Sequence, residues 1–278
     1  MKKFSFFHKI QGKKIGLVPT MGALHEGHLS LVQPLLEQVE IKVASIFVNP
    51  AQFNDKDDLK KYPRNLDRDL ELLAASGVDA VFTPSVKEVY ANGKPGITIN
   101  YPKITNELCG KFRPGHFEGV LLVVAKLFHI TDPDYAVFGE KDYQQLMLIE
   151  KMTKDLSFSV KILRAPTQRE ESGLALSSRN ERLTDEGRNR ALCIYRAFQT
   201  VLHQYSKNIG QNIEALLDSL VTPLVDLETI DYAGIYNKST LKPLPLQETV
   251  PKQGALMAVA GSVEGVRLID NMSFPEQP

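Results

Sequence analysis

Two cysteines, Cys109 and Cys193, in 278 residues are too few and too far apart for a disulfide framework, and a reducing cytoplasm is the simplest compartment for such a chain. An excess of one charge is also missing. The 33 Lys and Arg residues balance 33 Asp and Glu, so no strong electrostatic footprint for nucleic acid or an anionic membrane exists. No run approaches the ~18 consecutive apolar residues of a membrane-crossing helix, and the apolar patch in MKKFSFFHKI is too brief for a signal peptide. The spacings H-E-x-x-H, C-x-x-C, G-x-G-x-x-G and G-x-x-x-x-G-K-S/T are all absent, which removes the common zinc, redox and nucleotide fingerprints. A soluble cytoplasmic protein without nucleic-acid or membrane partners is expected. With 43% hydrophobic and 24% charged residues it is an ordinary globular chain, long enough for two domains.

What is present is concentrated in PTMGALHEGH, residues 19–28. The apolar run Ile15, Gly16, Leu17, Val18 reads as a buried strand. Gly22 and Gly27 permit close backbone approach, and Leu29, Val32, Leu35, Leu36 and Val39 then recur at helical spacing, predicting a helix from Glu26 onward. A second apolar run, 41–48, closes a βαβ unit with parallel strands. His25 and His28 thus stand at a helix entrance, where unsatisfied N–H groups and the helix dipole favour an anion. Surface polarity and a zinc pair are the competing readings, zinc the weaker because His8, His116, His129 and His203 are scattered.

Further strands are predicted at 77–82, 135–138 and 160–163, and helices at 66–76, 120–130 and from about 143 to 154. In the first of these helices Leu66, Leu70, Leu72 and Leu73 are expected to face inward and the charges to be solvated. Residues 90–106, with Asn92-Gly93 and alternating Ile97, Ile99 and Tyr101, suggest a hairpin edge. The alternation of strands and helices predicts an α/β, Rossmann-like doubly wound parallel sheet in which ligands gather at strand carboxyl ends. Beyond residue 170 the pattern becomes helices at 185–205 and 213–220 and strand-like runs at 229–236 and 255–263, a smaller α+β domain. The division expected is 1–170 and 171–278.

Three polar clusters fall at strand ends or at the join. FVNPAQF presents Gln52, with Asn49 read as closing an Asx turn. FGEKDYQQL brings Lys141, Asp142 and Gln145 to one junction, where lysine can neutralise phosphate and aspartate accept from ribose. Leu176, Ser177, Ser178, Arg179 and Asn180 fit either a pyrophosphate clamp or a capped turn.

H-x-G-H is the signature of a nucleotidyltransferase superfamily. Together PTMGALHEGH, SIFVNPAQF, KYPRNLDRDL, RPGHFEGV, FGEKDYQQL, REESGLALSSRN and RLIDN closely resemble the pantothenate synthetase (pantoate:β-alanine ligase) family, in its order and over nearly the whole chain. The resemblance implies an ATP-dependent ligase making pantothenate, AMP and diphosphate through a pantoyl adenylate. It implies an amino-terminal domain for ATP and pantoate, a carboxy-terminal lid, and a homodimer. Met21, Gly22, Ala23, Leu24, His25, Glu26, Gly27 and His28 would line the ATP site with Gly139, Glu140, Lys141 and Asp142. Gln168 would meet adenine through its backbone, and Leu176, Ser177, Ser178 and Arg179 would grip the triphosphate. Gln52 and Gln145 would hold pantoate, Gln52 would border β-alanine, and His116 would lie near the pantoate pocket. His28, His25, Lys141, Ser178 and Arg179 would carry catalysis. Mg²⁺ is expected with ATP, Asp69 being the candidate ligand; a neighbouring acidic position of some relatives is Arg68 here. Ser172 stands where aspartate is usual and Leu122 where threonine is usual, so a lid-hinge hydrogen bond and a helix hydroxyl are altered. Simple nucleotidyl transfer and a silent nucleotide-binding protein are the alternative functions.

Overall fold

The computed structural model describes residues 1–276 apart from 55, 91, 92 and 94. Ile15–Thr20 forms β1, buried along nearly its whole length, as a strand covered on both faces must be to read as a continuous apolar run. β2 (Ile41–Ile46) lies parallel to it, from Ile15 opposite Ile41 to Thr20 opposite Ile46. With β3 (Ala80–Phe82), β4 (Tyr135–Gly139) and β5 (Lys161–Ala165) they make a parallel sheet in the order β3-β2-β1-β4-β5. From β1 the chain moves outward through β2 to β3, then returns to the other side of β1 as β4. The loops after β1 and β4 therefore diverge, which opens the crevice where doubly wound sheets bind ligands.

Several helical expectations change. The predicted helix from Glu26 is one α-turn, Glu26–Leu29, followed by a 3₁₀ helix, Ser30–Leu35, that contains Pro34. Proline lacks an N–H and clashes with the carbonyl four residues earlier, so an α-helix does not continue across it. Leu31, Val32 and Leu35 are nevertheless buried. In the helix Leu66–Ala75, Asp69 and Leu73 face inward at 2% and 1% exposure, whereas Leu66 and Leu70 are 46% and 37% exposed. Positions i and i+4 share a face, and here that face belongs to Asp69 and Leu73. The expected hairpin at 90–106 is not formed among the described residues: Ile97 and Ile99 pair with no strand and Pro102–Thr105 is a helical turn. The turn expected at Asn92 lies outside the described residues. The apolar helix spans His116–Thr131 and is buried around most of its circumference.

The chain divides into two compact units, Met1–Asn106 with Arg113–Thr167, and Glu107–Phe112 with Gln168–Pro278. The second contains an antiparallel sheet, β6 (Thr229–Tyr236), β7 (Leu256–Val263) and β8 (Val266–Ser273), with β7 central. The helices Asp185–Lys207 and Ile213–Val221 share a core with it through Phe198, Val201, Leu216, Met257 and Val259. The sequence reading does not anticipate β8. Its hairpin turns at Glu264-Gly265, both at positive φ (52° and 67°), the backbone a two-residue hairpin turn requires. RLIDN lies on β8.

Candidate active site

The loop leaving β1 is unusually constrained. Gly22 and Ala23 both have positive φ, 80° and 52°, and the N–H groups of three successive residues are already engaged inward. Gly22 donates to Thr20 Oγ1 at 3.3 Å. Ala23 and Leu24 donate to Asp69 Oδ2 and Oδ1 at 2.9 and 2.8 Å. Hydrogen bonds to an ionised group contribute about 1.5–3 kcal/mol each. The loop is thus tied down on its inner side, and the groups it can offer an anion are its imidazoles rather than these amides.

His25 ends the loop as the helix N-cap, its Nδ1 accepting from Gly27 N at 3.1 Å. That bond fixes the neutral tautomer with the proton on Nε2. The His28 ring lies 4.0 Å from that of His25, centroid to centroid, and its Nδ1 is buried without a hydrogen-bond partner. Burial first, then Lys141, pushes the His25 pKa down to about 4. Burial first, then His25, lowers that of His28 to about 3; Lys141 adds to the fall and Asp142 opposes it. Both rings are therefore neutral at pH 7 and each retains one N–H to donate. Lys141 and Asp142 occupy the 3₁₀ turn Glu140–Asp142 at the end of β4, so the histidine loop and the lysine turn meet at the switch point of the sheet. Gln145 is half-buried on the following helix, Tyr143–Asp155.

Gln52 sits in the 3₁₀ turn Pro50–Gln52 after β2 and is held from several sides. Asn49 Oδ1 accepts from Ala51 N at 3.2 Å, the Asx turn expected. Its Nδ2 also donates to Gln52 Oε1 at 3.1 Å and to Gly119 O at 3.0 Å, and Tyr90 OH donates to Asn49 Oδ1 at 2.9 Å. Burial raises the Tyr90 pKa to about 12, so the phenol keeps its proton for that bond. The Gln52 amide nitrogen is left facing Met21 Sδ at 2.8 Å. Behind it His116 Nδ1 lies 2.7 Å from Gln52 O, which can only accept, so Nδ1 carries the proton and Nε2 accepts from Arg113 at 3.2 Å. His116 is 7% exposed and acts on Gln52 through the backbone. The bracing of Gln52 by Asn49, Tyr90 and Arg113 is what the sequence reading missed. Only Asn49 carries a local signal, its place just before Gln52 in one motif.

In the second unit, Leu176 N donates to Gln168 O at 3.0 Å, Ser177 caps the 3₁₀ turn Ser178–Arg182 through its hydroxyl to Arg179 N at 3.3 Å, and Asn180 Nδ2 donates to Ala175 O at 3.0 Å. Ser172 Oγ accepts from Leu174 N at 3.5 Å. Leu122 is buried at 5% exposure in the helix His116–Thr131.

No metal centre built from protein side chains alone is formed among the described residues. Among the described residues no group of three His, Cys, Asp or Glu side chains is placed to bind an ion, which also leaves the histidine pair without a third zinc ligand. Asp69, the expected Mg²⁺ ligand, already spends each oxygen on a backbone N–H.

The family model described as pantoate-beta-alanine ligase matches residues 1–273. The pantothenate synthetase of Moorella thermoacetica is 46% identical, over 94% of this chain and 91% of that protein, and that of Leptospira interrogans 43% identical, over 96% and 92%. The crystal structure of pantothenate synthetase from Thermus thermophilus superposes with a TM-score of 0.87 at 42% identity, over 94% of both chains. That of the Francisella tularensis pantoate-beta-alanine ligase, complexed with beta-gamma ATP and beta-alanine, has a TM-score of 0.74 at 37% identity, over 98% and 95%. With the switch-point histidines and lysine in place and similarity running the length of the chain, this protein belongs to the pantoate-beta-alanine ligase family of pantothenate synthetases.

Proposed function

We propose that this ligase joins (R)-pantoate to β-alanine in two steps. A pantoate carboxylate oxygen bonds to the α-phosphorus of ATP as the bond to the β-phosphate oxygen breaks, releasing diphosphate. The β-alanine amine then attacks the acyl carbon of the pantoyl adenylate; a C–N bond forms, the C–O bond to phosphate breaks, and AMP and a proton leave. The observation that carries this reading is His28: a neutral, half-buried imidazole packed on His25 and under the field of Lys141 at the switch point of a parallel sheet. Such a donor strengthens its hydrogen bond as negative charge gathers on the phosphoryl oxygens.

In this reading His25 and Lys141 flank the same phosphate and Asp142 takes the ribose. Gly139 and Glu140 line the nucleotide with residues 21–28, and Gln168 meets adenine. Leu176, Ser177, Ser178 and Arg179 hold the triphosphate. Gln52 and Gln145 orient pantoate, Gln52 borders β-alanine, and His116 steadies Gln52. Residues 1–170 bind ATP and pantoate, while 171–278 act as the lid that keeps water from the mixed anhydride. Mg²⁺ arrives on the nucleotide phosphates, and no step is assigned to it. The test is pantoate-dependent exchange of diphosphate into ATP without β-alanine, which should proceed; exchange that requires β-alanine would rule out a free adenylate.

The enzyme is further proposed to be a cytoplasmic homodimer. A cavity of about 560 Å³ beside Tyr90 and Leu122 has apolar walls that include Ile97, Ile99, Leu156 and Phe158. Ile97 and Leu156 are 69% and 52% exposed, a suitable apolar face for a second copy. Sedimentation should give a dimer that Ile97→Asp converts to monomer; a monomeric native chain would refute this.

A further inference from the structure

The first turn of the helix Leu66–Ala75 carries a buried carboxylate whose partners are all in a different segment of the chain. Asp69 is 2% exposed. Its Oδ1 accepts from Leu24 N at 2.8 Å and its Oδ2 from Ala23 N at 2.9 Å. Asn65 caps the same turn, accepting from Arg68 N at 3.2 Å. Gly22 is packed against it: a Cβ at Gly22 would stand 2.8 Å from Asp69 Oδ2 and 3.1 Å from Ile46 Cγ2. Tyr62 OH reaches Gly22 O at 3.5 Å from the same side. A left-handed pair, Gly22 and Ala23, persists only where its surroundings over-determine it. Here the surroundings are mainly one side chain.

We infer that Asp69 is a positioning residue that clamps the loop Gly22–Leu24 and so sets the place of His25 and His28, and that it is not a ligand of Mg²⁺. Mg²⁺ demands near-octahedral oxygen coordination and sheds its waters reluctantly. A side chain with both oxygens on backbone N–H groups and almost no exposure has no room for a hydrated ion. Each oxygen keeps a second lone pair, but at 2% exposure an ion could reach it only by shedding its waters and displacing the loop packed over it. The ion therefore depends on the nucleotide for its ligands, and Asp69 acts on the reaction only through the histidines.

The test is the isosteric variant Asp69→Asn in the full chain. Its amide keeps one acceptor but turns an NH₂ toward a backbone N–H, so the loop loses one of its two ties. Hydrogen exchange at Ala23 and Leu24 should accelerate while the β4 amides keep their protection. The turnover number should fall about 10-fold or more, as misplaced catalytic groups require, with the half-saturating Mg²⁺ concentration unchanged. A loss of Mg²⁺ affinity of about 10-fold or more, the usual cost of disturbing a metal's shell, with turnover restored at high Mg²⁺, would overturn the inference. The wild-type chain provides a check that does not depend on the variant folding. Mn²⁺ alone, without nucleotide, should leave the Ala23 and Leu24 amide resonances sharp; broadening confined to them refutes the clamp. The kinetic part rests on the histidine loop facing the phosphate, whereas the exchange and Mn²⁺ measurements do not. A harmless His28→Ala would sink that reading and leave the clamp standing.

Discussion

The loop after β1 and the turn around Ser178–Arg182 are both read as phosphate-binding elements, yet they are held in opposite ways. The histidine loop owes its shape to groups far along the chain: Asp69 lies 45 residues from Leu24 and Thr20 Oγ1 is bound to Ser45 O. The turn carries short-range ties, Arg179 N to Ser177 Oγ, Asn180 Nδ2 to Ala175 O and Arg188 to Asn180 O, none spanning more than eight residues. A loop with positive φ at a non-glycine residue and two neutral imidazoles stays in place only inside a finished fold. A turn capped by its own serine has part of its stabilisation encoded locally. The first suits preorganised chemistry, and the second suits an element that keeps its shape while its surroundings change.

The largest expected effect tests whether the rigid loop carries the chemistry. His28→Ala should lower kcat by about 100-fold or more, as loss of a donor aimed at transition-state charge does, with the melting temperature little changed; an unaltered kcat removes His28 from the mechanism. Next comes the long-range bracing itself. An alanine Cβ at Gly119 would collide with the Ala51 carbonyl oxygen and stand 2.8 Å from Gln52 N, so Gly119→Ala should raise KM for pantoate by about 10-fold with a smaller change in kcat. An unchanged KM would show that the Gln52 turn does not set pantoate affinity.

The smallest effect separates the two elements by pH. His25 and His28 titrate near 6.5 when unfolded and at about 4 and 3 when folded. Between pH 6.5 and about 3 the unfolded chain therefore binds more protons, and stability falls as pH falls through that window. Hydrogen exchange compared at pH 7 and pH 4.5, corrected for intrinsic rates, should show the histidine loop loosening first and the Ser177–Arg182 turn unaffected. Simultaneous loosening would erase the contrast.

Legibility follows the same division. The strands β1, β2 and β4 announce themselves as apolar runs, because a parallel strand buried on both faces has little polar alternation to mask it, whereas β5 lies at the sheet edge and only Ala165 in it is buried. His25, His28 and Lys141 are readable because each lies within a few residues of a strand end. The inward place of Asp69 is not legible in the sequence, since a charge on a helix ordinarily faces solvent and only packing reveals that Asp69 and Leu73 share the inward face. His116 is legible as a site residue, but its work is not: its bonds to Gln52 O and Arg113 cross 64 residues and 3 residues respectively, and no local pattern contains the longer one. β8 escapes notice although its hairpin turn carries a glycine, because alternation along 266–273 is half polar.

The sequence by itself determined the class of fold, the succession of the five parallel strands along the chain, the family and the chemical types present at the strand ends, since these depend on local pattern and on motifs that stay contiguous. Only the tertiary structure decided how those groups are charged and aimed. The neutrality of the two histidines comes from burial and from Lys141, the direction of the Gln52 amide from Asn49, and the strained loop from Asp69. Each of these is a free-energy balance among groups distant in the chain, which come together only when the fold closes.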